Sequence, residues 1–474
     1  MTLDDLLDAA AAASPTYAAV DGTARSAFLA AVARELESIG DDVVATADRE
    51  SHLGETRLRG ELTRTTNQLR MFADLVADAS WQEARIDTGP PDIRRMLVPL
   101  GPVAVFGASN FPLAFSVPGG DTASALAAGC PVVCKAHPAH PDTSELCTAA
   151  IEQAARAQGM PDGVFALLRD TSVEAGQRLV ADDRVEAVAF TGSLPAGRAL
   201  YDLAAGRPRP IPVYAEMGSI NPVFVLPGAA AERGEQIAAQ LADSITLGVG
   251  QFCTNPGVTV ALAGSLRQAL TAAMADRPAG TMLTTGIAEQ YVRNLAALLD
   301  SGPALATGSV GAGQPSLATV DAETFARRPE LHHEVFGPAS LLVEAATAEE
   351  LLAVARSLEG QLTATVYATD EELAANAELI SVLTQRVGRV IANGVPTGVA
   401  VNDAIHHGGP YPASTDVRSS SVGTTAIERF VRPVCHQDFP DGALPQLLRD
   451  ANPLGALRLV NGSLSAQPVA RTTS

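Results

Sequence analysis

One cysteine of this 474-residue sequence lies where its thiol could act as a nucleophile. Cys253 follows a helix-like stretch and precedes a predicted strand, within the small-residue segment Gly248-Val-Gly-Gln-Phe-Cys-Thr-Asn-Pro-Gly. In such a turn the backbone can approach a ligand closely, and a thiolate could attack a carbonyl carbon. Taken alone, a single cysteine is more often a small buried hydrophobe. Its interpretation as a catalytic residue therefore depends on the residues that accompany it.

Two further residues could assist a cysteine nucleophile. Glu216 ends an apolar predicted strand beside a glycine turn, where burial could raise the pKa of its carboxyl toward that of a general base. Asn110 follows another predicted strand and could direct its amide at a developing oxyanion. The ordinary alternatives are a solvated carboxylate at a strand end and an asparagine in a turn. Together with Cys253, these residues form a candidate catalytic set.

Lys135 is the only lysine of the chain, and every other permanently cationic side chain is an arginine. Its ammonium group, at the end of a predicted strand, can bridge vicinal hydroxyls or bind a phosphate where the planar guanidinium would not fit. The alternative is that this single lysine has no function and remains by chance in a chain whose other cations are arginines. The surrounding motifs decide between the two.

Composition limits the possible partners. A formal net charge of −20 would repel nucleic acid and anionic membranes. No apolar stretch of about 18 residues occurs, and the first residues lack the basic segment of a secretion signal. The five cysteines form no CxxC pair, which fits a reducing compartment. We expect a cytoplasmic protein that acts on a small molecule, with no nucleic-acid or membrane partner.

No metal site is expected. Adjacent histidines, as in His332-His333 and His406-His407, project to different sides of a strand or helix, so one ion would rarely take both. Cys130 and Cys134 lack a second pair of ligands. These two thiols are predicted to be packing residues.

The elements that must position these residues follow from hydrophobic periodicity. The first 80 residues have helical spacing. From Met96 onward, short β-branched runs alternate with alanine-rich helical segments, which is typical of a parallel sheet in an α/β fold. The proline-rich stretch 208–212 predicts a crossing to a second α/β unit that extends to about residue 420. Residues 85–100 and 427–434 lie outside both alternations and could be arms that pair with another subunit.

Six short motifs occur together in the order and approximate spacing of the NAD(P)-dependent aldehyde dehydrogenase superfamily, and the sequence resembles this family over roughly residues 20 to 430. The motifs are Asn110-Phe-Pro, Val133-Cys-Lys, Phe190-Thr-Gly-Ser, Glu216-Met-Gly, Gly250-Gln-Phe-Cys and Glu334-Val-Phe-Gly-Pro. Six motifs in register make coincidence improbable.

The resemblance implies a division of the chain into three parts. A Rossmann-like, NAD(P)-binding domain would comprise residues 1–84 and 100–218, and a catalytic α/β domain residues 219–420. A small β oligomerisation arm with the C-terminal tail would comprise residues 85–99 and 421–474. A homodimer or homotetramer follows, because the exposed edge of the arm would otherwise be unprotected.

The resemblance also implies a mechanism. Cys253 would attack an aldehyde as a thiolate, and the oxyanion would be held by the Asn110 amide and a backbone N–H near Cys253. Collapse of the thiohemiacetal would transfer hydride to the nicotinamide. Glu216 would then activate water to hydrolyse the thioester. In this scheme two half-reactions share one nucleophile.

For the cofactor, the resemblance implies contacts from both predicted units. Lys135 would bind the adenosine ribose, Glu334 the nicotinamide ribose, and a helix opened by Gly192 and Ser193 the pyrophosphate. The full predicted set is Phe106, Ser109, Lys135, His137, Gly192, Ser193, Gly197, Glu334 and Phe336.

NADP is the expected cofactor, with NAD as an alternative. Relatives that favour NAD commonly carry a glutamate three positions after the lysine, and this position is Pro138 here. His137, His140 and a nearby arginine are the predicted contacts of the 2'-phosphate.

Within the family, the stretch from Gly107 to Ser116 and the tail from Glu428 to Gly455 are similar to α-ketoglutarate semialdehyde dehydrogenases and to bacterial long-chain fatty aldehyde dehydrogenases. The predicted substrate is α-ketoglutarate semialdehyde, and the predicted tunnel residues are Phe111, Phe115 and Phe252. A fatty or broad-specificity aldehyde dehydrogenase and a catalytically idle homologue are the alternatives. The sequence does not indicate which arginine would bind a distal carboxylate.

Overall fold

A computed structural model describes residues 1–275, 277–300, 302–307 and 313–470. The last four residues of the predicted C-terminal tail lie outside this part of the chain. Its helices are α1 (Leu3–Ala18), α2 (Gly22–Ser38), α3 (Gly40–Ser51), α4 (Glu55–Ala77), α5 (Gly120–Ala128), α6 (Pro141–Ala157), α7 (Val173–Ala181), α8 (Leu194–Ala205), α9 (Pro227–Thr246), α10 (Arg267–Ala275), α11 (Thr285–Leu299), α12 (Ala322–Arg327), α13 (Ala348–Ser357), α14 (Asp370–Ala375) and α15 (Ala377–Thr384).

The strands of the described residues form three sheets. They are β1 (Arg85–Asp87), β2 (Ile93–Pro99), β3 (Val103–Phe106), β4 (Val132–Lys135), β5 (Phe165–Leu168), β6 (Ala187–Thr191), β7 (Val213–Glu216), β8 (Val223–Val225), β9 (Val258–Leu262), β10 (Ala304–Thr307), β11 (Ser316–Asp321), β12 (Ala339–Ala345), β13 (Gln361–Tyr367), β14 (Val387–Ala392), β15 (Val431–Gln437), β16 (Arg458–Val460) and β17 (Ser463–Ser465). The predicted α/β architecture is confirmed.

The first sheet is entirely parallel, in the order β5-β4-β3-β6-β7. Its strands are continuous apolar runs because helices cover both faces. The chain moves outward from β3 to β5 and then returns to place β6 beside β3. Ligands of such sheets bind at the carboxyl ends of the strands where the direction of winding reverses. Phe106 and Thr191 end the two strands at this reversal.

The second sheet has the order β10-β11-β12-β9-β8-β13-β14, in which only β10 runs antiparallel to its neighbour within the described residues. The chain enters this sheet at Val223, after β7 has completed the first one. The predicted crossing at residues 208–212 is therefore wrong, because these prolines join α8 to a strand of the same sheet. The transfer occurs in the glycine-containing segment 217–222.

After β14 the chain returns to the first sheet. The N–H groups of Met217 and Thr415 donate to the carbonyls of Ala413 and Ala215, so residues 413–415 run beside β7. The segment from 393 to 420, predicted as part of the catalytic domain, thus brings side chains from the far end of the chain to Glu216.

The third sheet has the order β15-β2-β1-β16-β17. The two predicted arms pair with each other, since Val431 lies opposite Pro99 and Gln437 opposite Ile93 in antiparallel register. The tail adds β16 and β17 beside β1. Pairing within the chain takes up both edges of the β1–β2 arm and leaves β15 and β17 as edge strands.

The N-terminal helices confirm the predicted helical region. α2 packs along α4 and against α6, and their apolar faces, including Phe28, Leu36 and Phe72, join the core of the first sheet. Thr2 and Asp5 form a capping box that fixes the start of α1. Within the described residues, no helix has both the length and the apolar character needed to span a bilayer.

Candidate active site

A cleft of about 890 Å³ lies at the carboxyl ends of the first sheet. The second sheet contributes its other wall through the segment containing Glu334 and Phe336, and α11 closes one side through Ile287 and Tyr291. Cys253 and Glu216 lie in the wall of the same cleft. The fold therefore brings both predicted units to one site.

Eight of the nine predicted cofactor residues line this cleft. They are Phe106, Ser109, Lys135, His137, Gly192, Ser193, Glu334 and Phe336. Gly197 is the exception, because it is buried and a Cβ there would lie 2.8 Å from the Met217 thioether and 3.1 Å from the Phe190 ring. Its lack of a side chain allows α8 to pack closely on the protein rather than on a ligand.

The cleft has the polar groups that a dinucleotide requires. The Lys135 ammonium donates to the Thr171 carbonyl at 2.8 Å and keeps two further donors. Ser193 precedes the first turn of α8, where backbone N–H groups favour an anion. The buried Thr191 hydroxyl in the cleft wall has no hydrogen-bond partner within the described residues. These residues fit a bound dinucleotide.

The predicted phosphate contacts are only partly placed at the cleft. His140 is completely buried with its Nε2 3.1 Å from the Ala108 carbonyl, so it cannot reach a phosphate. His137 lines the cleft, and burial, His140 and Lys135 lower its pKa to about 3, which leaves the imidazole neutral. No arginine is among the described residues that line the cleft.

Cys253 follows a backbone segment of unusual conformation. Gly248, Val249 and Gly250 have φ values of 56°, 59° and 65°, in the left-handed region that a β-branched residue rarely adopts. A Cβ at residue 250 would collide with the Gly337 carbonyl. The chain therefore turns tightly against the segment that carries Glu334, and this turn presents the thiol to the cleft.

Asn221 holds the next part of this loop. Its amide nitrogen donates to the Cys253 carbonyl at 2.8 Å and to the Asn255 carbonyl at 2.9 Å. Its amide oxygen accepts from Ser219 and Thr363 at 3.0 Å each. The bonds to the two carbonyls thus hold the cysteine loop, and the bond from Thr363 on β13 attaches this completely buried side chain to the second sheet.

Glu216, His407 and Cys253 converge at the centre of the site. His407 Nε2 lies 3.0 Å from Glu216 Oε1 and 3.6 Å from Cys253 Sγ. Ser421 donates to the other Glu216 oxygen at 2.7 Å. The ligand atoms of the three residues lie within 4.8 Å of one another, which a metal ion could also use. The hydrogen bonds already present explain the cluster, and the absence of a metal stays a prediction.

The electrostatics of this cluster differ from the expectation for Glu216. Burial alone would raise the pKa of its carboxyl, but His407 and the hydrogen bonds from His407, Ser421 and Cys253 hold the pKa below its ordinary value. The predicted upward shift is therefore wrong. Burial and the neighbouring Glu216 carboxylate raise the pKa of the Cys253 thiol well above its usual range. At rest, the site holds a thiol beside a carboxylate.

The predicted oxyanion contacts lie beside this thiol. Asn110 donates one amide hydrogen to the Gln251 carbonyl at 2.9 Å, which directs its side chain to the cysteine loop and leaves the second amide hydrogen available. The backbone N–H of Cys253 has no hydrogen-bond partner in the described part of the chain. Two donors can therefore meet an oxygen bound at the carbon that Cys253 attacks.

The three predicted tunnel residues form one aromatic cluster outside the cofactor cleft. The Phe111 ring lies 5.2 Å from Phe115 and 5.4 Å from Phe252 between ring centroids, both edge to face. Phe115 also lies 6.1 Å from the His407 ring. The aromatic cluster thus adjoins the catalytic centre at His407, and none of its three rings lines the dinucleotide cleft.

The comparisons with known proteins agree with this geometry. Residues 1–432 match the model of the aldehyde dehydrogenase family. The chain belongs to the aldehyde dehydrogenase family. This aldehyde dehydrogenase is an NAD(P)-dependent oxidoreductase.

Two curated relatives are similar to this aldehyde dehydrogenase over nearly its whole length. Alpha-ketoglutaric semialdehyde dehydrogenase 2 of Azospirillum brasilense is 49% identical, over 94% of this chain and 88% of the relative. Alpha-ketoglutaric semialdehyde dehydrogenase of Acinetobacter baylyi is 43% identical, over 98% of this chain and 92% of the relative.

A solved structure shows the same fold. Aldehyde dehydrogenase 21 of Physcomitrella patens, in complex with its reaction product succinate, superimposes with a TM-score of 0.78 at 22% identity, over 93% of this chain and 91% of the other.

Sequence reasoning missed several residues of this aldehyde dehydrogenase site. His407 was considered only as a metal ligand, although it is the side chain between Cys253 and Glu216. The sequence around Ser421 and Asn221 does not indicate a function, since their roles depend on contacts with distant residues. The glycines after His407, which allow the chain to pack closely on Gln361 and Ser419, were the available indication of a functional turn.

Proposed function

We propose that this enzyme oxidises α-ketoglutarate semialdehyde (2,5-dioxopentanoate) to 2-oxoglutarate. The Cys253–His407–Glu216 arrangement at the junction of the cofactor cleft and the aromatic cluster is the observation that carries the proposal. The names of the two relatives above 40% identity support the choice of substrate.

The first half-reaction uses the cluster to form a nucleophile. Glu216, with His407 beside it, accepts the thiol proton as Cys253 Sγ bonds to the aldehyde carbon, and the carbonyl oxygen becomes an oxyanion. This proton passes to solvent before water is activated. The Asn110 amide and the Cys253 N–H donate to this oxygen. When bound in the cleft, the dinucleotide supplies an acceptor for the hydride that leaves this carbon. The substrate is then a thioester of Cys253.

The second half-reaction releases the product. Glu216, held by Ser421 and His407, takes a proton from water, and the hydroxide bonds to the thioester carbon as the carbon–sulfur bond breaks. The sulfur leaves as a thiolate and regains a proton from the Glu216 carboxyl, which returns Glu216 to its ionised form. A depressed carboxyl pKa keeps Glu216 ionised and able to accept this proton at neutral pH.

NADP is the proposed cofactor. Lys135, His137 and Pro138 line the cleft, and the family resemblance assigns Lys135 to the adenosine ribose. Pro138 has no carboxylate that would repel a 2'-phosphate. We predict that Pro138→Glu lowers the ratio of kcat/KM for NADP to that for NAD by about tenfold or more, through like-charge repulsion. Pro138→Gln is the uncharged control. A ratio that falls equally in both variants would contradict the electrostatic explanation.

A long-chain aldehyde is the second candidate substrate, because Phe111, Phe115 and Phe252 form an apolar surface beside the cysteine. The test is kcat/KM for α-ketoglutarate semialdehyde, succinate semialdehyde, glutaraldehyde and long-chain aldehydes with both cofactors. We expect the highest kcat/KM for α-ketoglutarate semialdehyde. A large preference for long-chain aldehydes would overturn it.

Cys253→Ala tests the chemistry common to both candidates. We expect this variant to lose formation of the reduced cofactor with every aldehyde, while Cys435→Ala, which alters an exposed thiol of β15, retains the activity. Turnover by Cys253→Ala would contradict the mechanism. A wild type that forms no reduced cofactor with any of these aldehydes would instead support the idle-homologue alternative.

We also propose that the chain forms a homodimer or homotetramer through the third sheet. Its edge strands β15 and β17 each have one neighbour within the described residues. Pairing or packing between copies would cover such edges. The cytoplasmic location stays a prediction.

A further inference from the structure

Two arginines of α4 lie on the aromatic cluster. Arg57 and Arg64 are seven residues apart, so two helical turns place them on the same face. The Arg57 guanidinium lies 5.0 Å from the Phe111 ring centroid and 4.5 Å from that of Phe252, and the Arg64 guanidinium lies 4.9 Å from that of Phe115. Each phenylalanine predicted for the substrate thus carries a cation on its ring.

Neither guanidinium forms an ion pair within the described residues. The Nη1 atoms of Arg57 and Arg64 are buried and have no hydrogen-bond partner in the described part of the chain. Arg57 donates from Nη2 to the Asn110 carbonyl at 2.6 Å, whereas Arg64 forms no hydrogen bond among the described residues. Burial lowers the pKa of both groups. A buried guanidinium nitrogen without a hydrogen-bond partner is unfavourable, so an acceptor that reaches these two Nη1 atoms would be stabilised.

The other charged groups nearby do not form ion pairs with Arg57 or Arg64 within the described residues. Glu61 lies between the two arginines on α4, but its Oε1 accepts from the N–H groups of Leu113 and Ala114 at 2.8 and 2.9 Å. It forms no ion pair with either arginine in the described residues, and burial raises its pKa against the opposing effect of these hydrogen bonds and of both arginines. Arg389, a third cation near the cysteine, donates to the carbonyls of Pro396 and Gly398 and holds their loop.

We propose that Arg64, with Arg57 beside it, binds the carboxylate at the end of the substrate remote from the aldehyde. This inference rests on the proposed function. In an extended α-ketoglutarate semialdehyde the carboxylate lies roughly 5 Å from the aldehyde carbon. Arg64 interacts electrostatically with both Cys253 and Glu216, which places it close to the reacting centre.

The same arrangement sets the specificity. The methylene groups of a short acid semialdehyde can pack on the phenylalanine rings while the carboxylate accepts hydrogen bonds from the free guanidinium nitrogens. An aliphatic aldehyde of any length would occupy this space and leave the cations unpaired. The site therefore favours a negatively charged aldehyde over a neutral one.

Arg64→Met is the test, because methionine keeps an unbranched apolar chain and removes the charge. We measure kcat/KM for α-ketoglutarate semialdehyde and for pentanal, a neutral aldehyde of the same carbon chain length. We expect the ratio of the two to fall about 100-fold, mainly through KM for the acid, as for loss of hydrogen bonds between charged groups. Arg64→Lys keeps a charge but lacks the planar guanidinium, so its ratio should lie between those of the wild type and Arg64→Met.

Arg59→Met is the matched control, since Arg59 is exposed on the same helix and pairs with Asp41 and Glu55 at the surface. Its substrate ratio should equal that of the wild type. Inhibition by the product 2-oxoglutarate gives a second measurement that needs no turnover of the acid. Its inhibition constant, measured with pentanal as substrate, should rise in Arg64→Met by a factor similar to that for KM.

The outcomes separate this inference from the proposed function. A wild type that prefers pentanal to the acid semialdehyde would refute the proposed function. The role of Arg64 alone would be refuted if the wild type prefers the acid but Arg64→Met does not change this preference. In that case Arg64→Met folds, as judged by its Tm, and keeps the wild-type ratio of kcat/KM values and the wild-type inhibition constant. If Arg64→Met does not fold, Arg64→Lys decides, because an unchanged ratio and inhibition constant in that variant would also overturn the proposal.

Discussion

At the scale of single residues, the site is defined by how Glu216 and Cys253 affect each other. The carboxylate beside the sulfur raises the pKa of the thiol, while the thiol, His407 and Ser421 stabilise the carboxylate. The resting thiol is thereby kept protonated, and the proton acceptor is already ionised. Nucleophile and base are therefore a single coupled unit.

Glu216→Gln tests this coupling. Removing the negative charge should lower the pKa of Cys253, so alkylation of this thiol by iodoacetamide should reach its maximum rate at lower pH than in the wild type. Turnover should fall about 10²- to 10⁴-fold, because water activation is lost. Glu232→Gln, an exposed change on α9, is the control. An alkylation profile that is unmoved, or moved to higher pH, would contradict the coupling.

Glu334 gives a prediction for stability. Burial and the Glu216 charge raise its pKa to about 8 from an ordinary value of 4.5. Its contribution to stability is fully present below pH 4.5 and is lost as the pH rises through about 8. Glu334→Gln, which stays neutral, should therefore have the higher Tm at pH 8 without cofactor, and this advantage should shrink toward acid pH. A Tm difference between the two proteins that is constant with pH would contradict the raised pKa of Glu334.

At the scale of elements, the turn before Cys253 relates backbone conformation to chemistry. Gly250 has a positive φ and lies against the Gly337 carbonyl, where a Cβ has no space. Gly264 has a similar φ of 79°, but no atom lies within 4 Å of where its Cβ would be. Substitutions at the two glycines can therefore distinguish the effect of backbone strain from the effect of steric contact.

Gly264→Ala should lower the free energy of unfolding by about 1–2 kcal/mol, the cost of left-handed backbone for a residue with a Cβ, and keep the activity. Gly250→Ala should lose more stability and at least about 100-fold in kcat/KM, because a small displacement of the cysteine misaligns the reaction. Urea unfolding and steady-state kinetics of both variants measure this. Equal effects in the two variants would show that contact with Gly337 is unimportant.

At the scale of the whole molecule, the third sheet joins residues from opposite parts of the chain. Buried Arg94 on β2 donates to Asp92 and Asp450 at 2.7 Å each and to the Leu448 carbonyl at 2.6 Å. These bonds fix the tail to the arm, so the shape of the proposed subunit interface depends on them.

Arg94→Met should destabilise this sheet by about 3–5 kcal/mol, because one partner of a buried charge network is removed. We expect faster proteolysis of the tail and a shift toward smaller species in light scattering. Arg85→Met removes only an exposed pair with Glu83 and should leave both measurements unchanged. An assembly that is unaffected in Arg94→Met would show that copies associate through another surface.

The sequence by itself determined the α/β architecture, the helical N-terminus, the chain positions of Cys253, Glu216 and Asn110, and eight residues that line the cleft. The architecture and the helical N-terminus follow from local periodicity, whereas the cleft residues follow from short motifs that resemble those of the family. The relation between Cys253 and Asn110 was implied by the family resemblance, in which both residues act on one substrate.

Only the tertiary structure decided the features that depend on distant residues. His407 lies 154 positions from Cys253, and no periodicity relates the two. The pKa of Glu216 is lowered rather than raised, because its value depends on three partners brought by other segments. Likewise, Arg64 meets Phe115 only through folding, and Gly197 faces Met217 instead of the cleft. Contacts and pKa values are properties of packed neighbours, and packing is settled when remote segments meet.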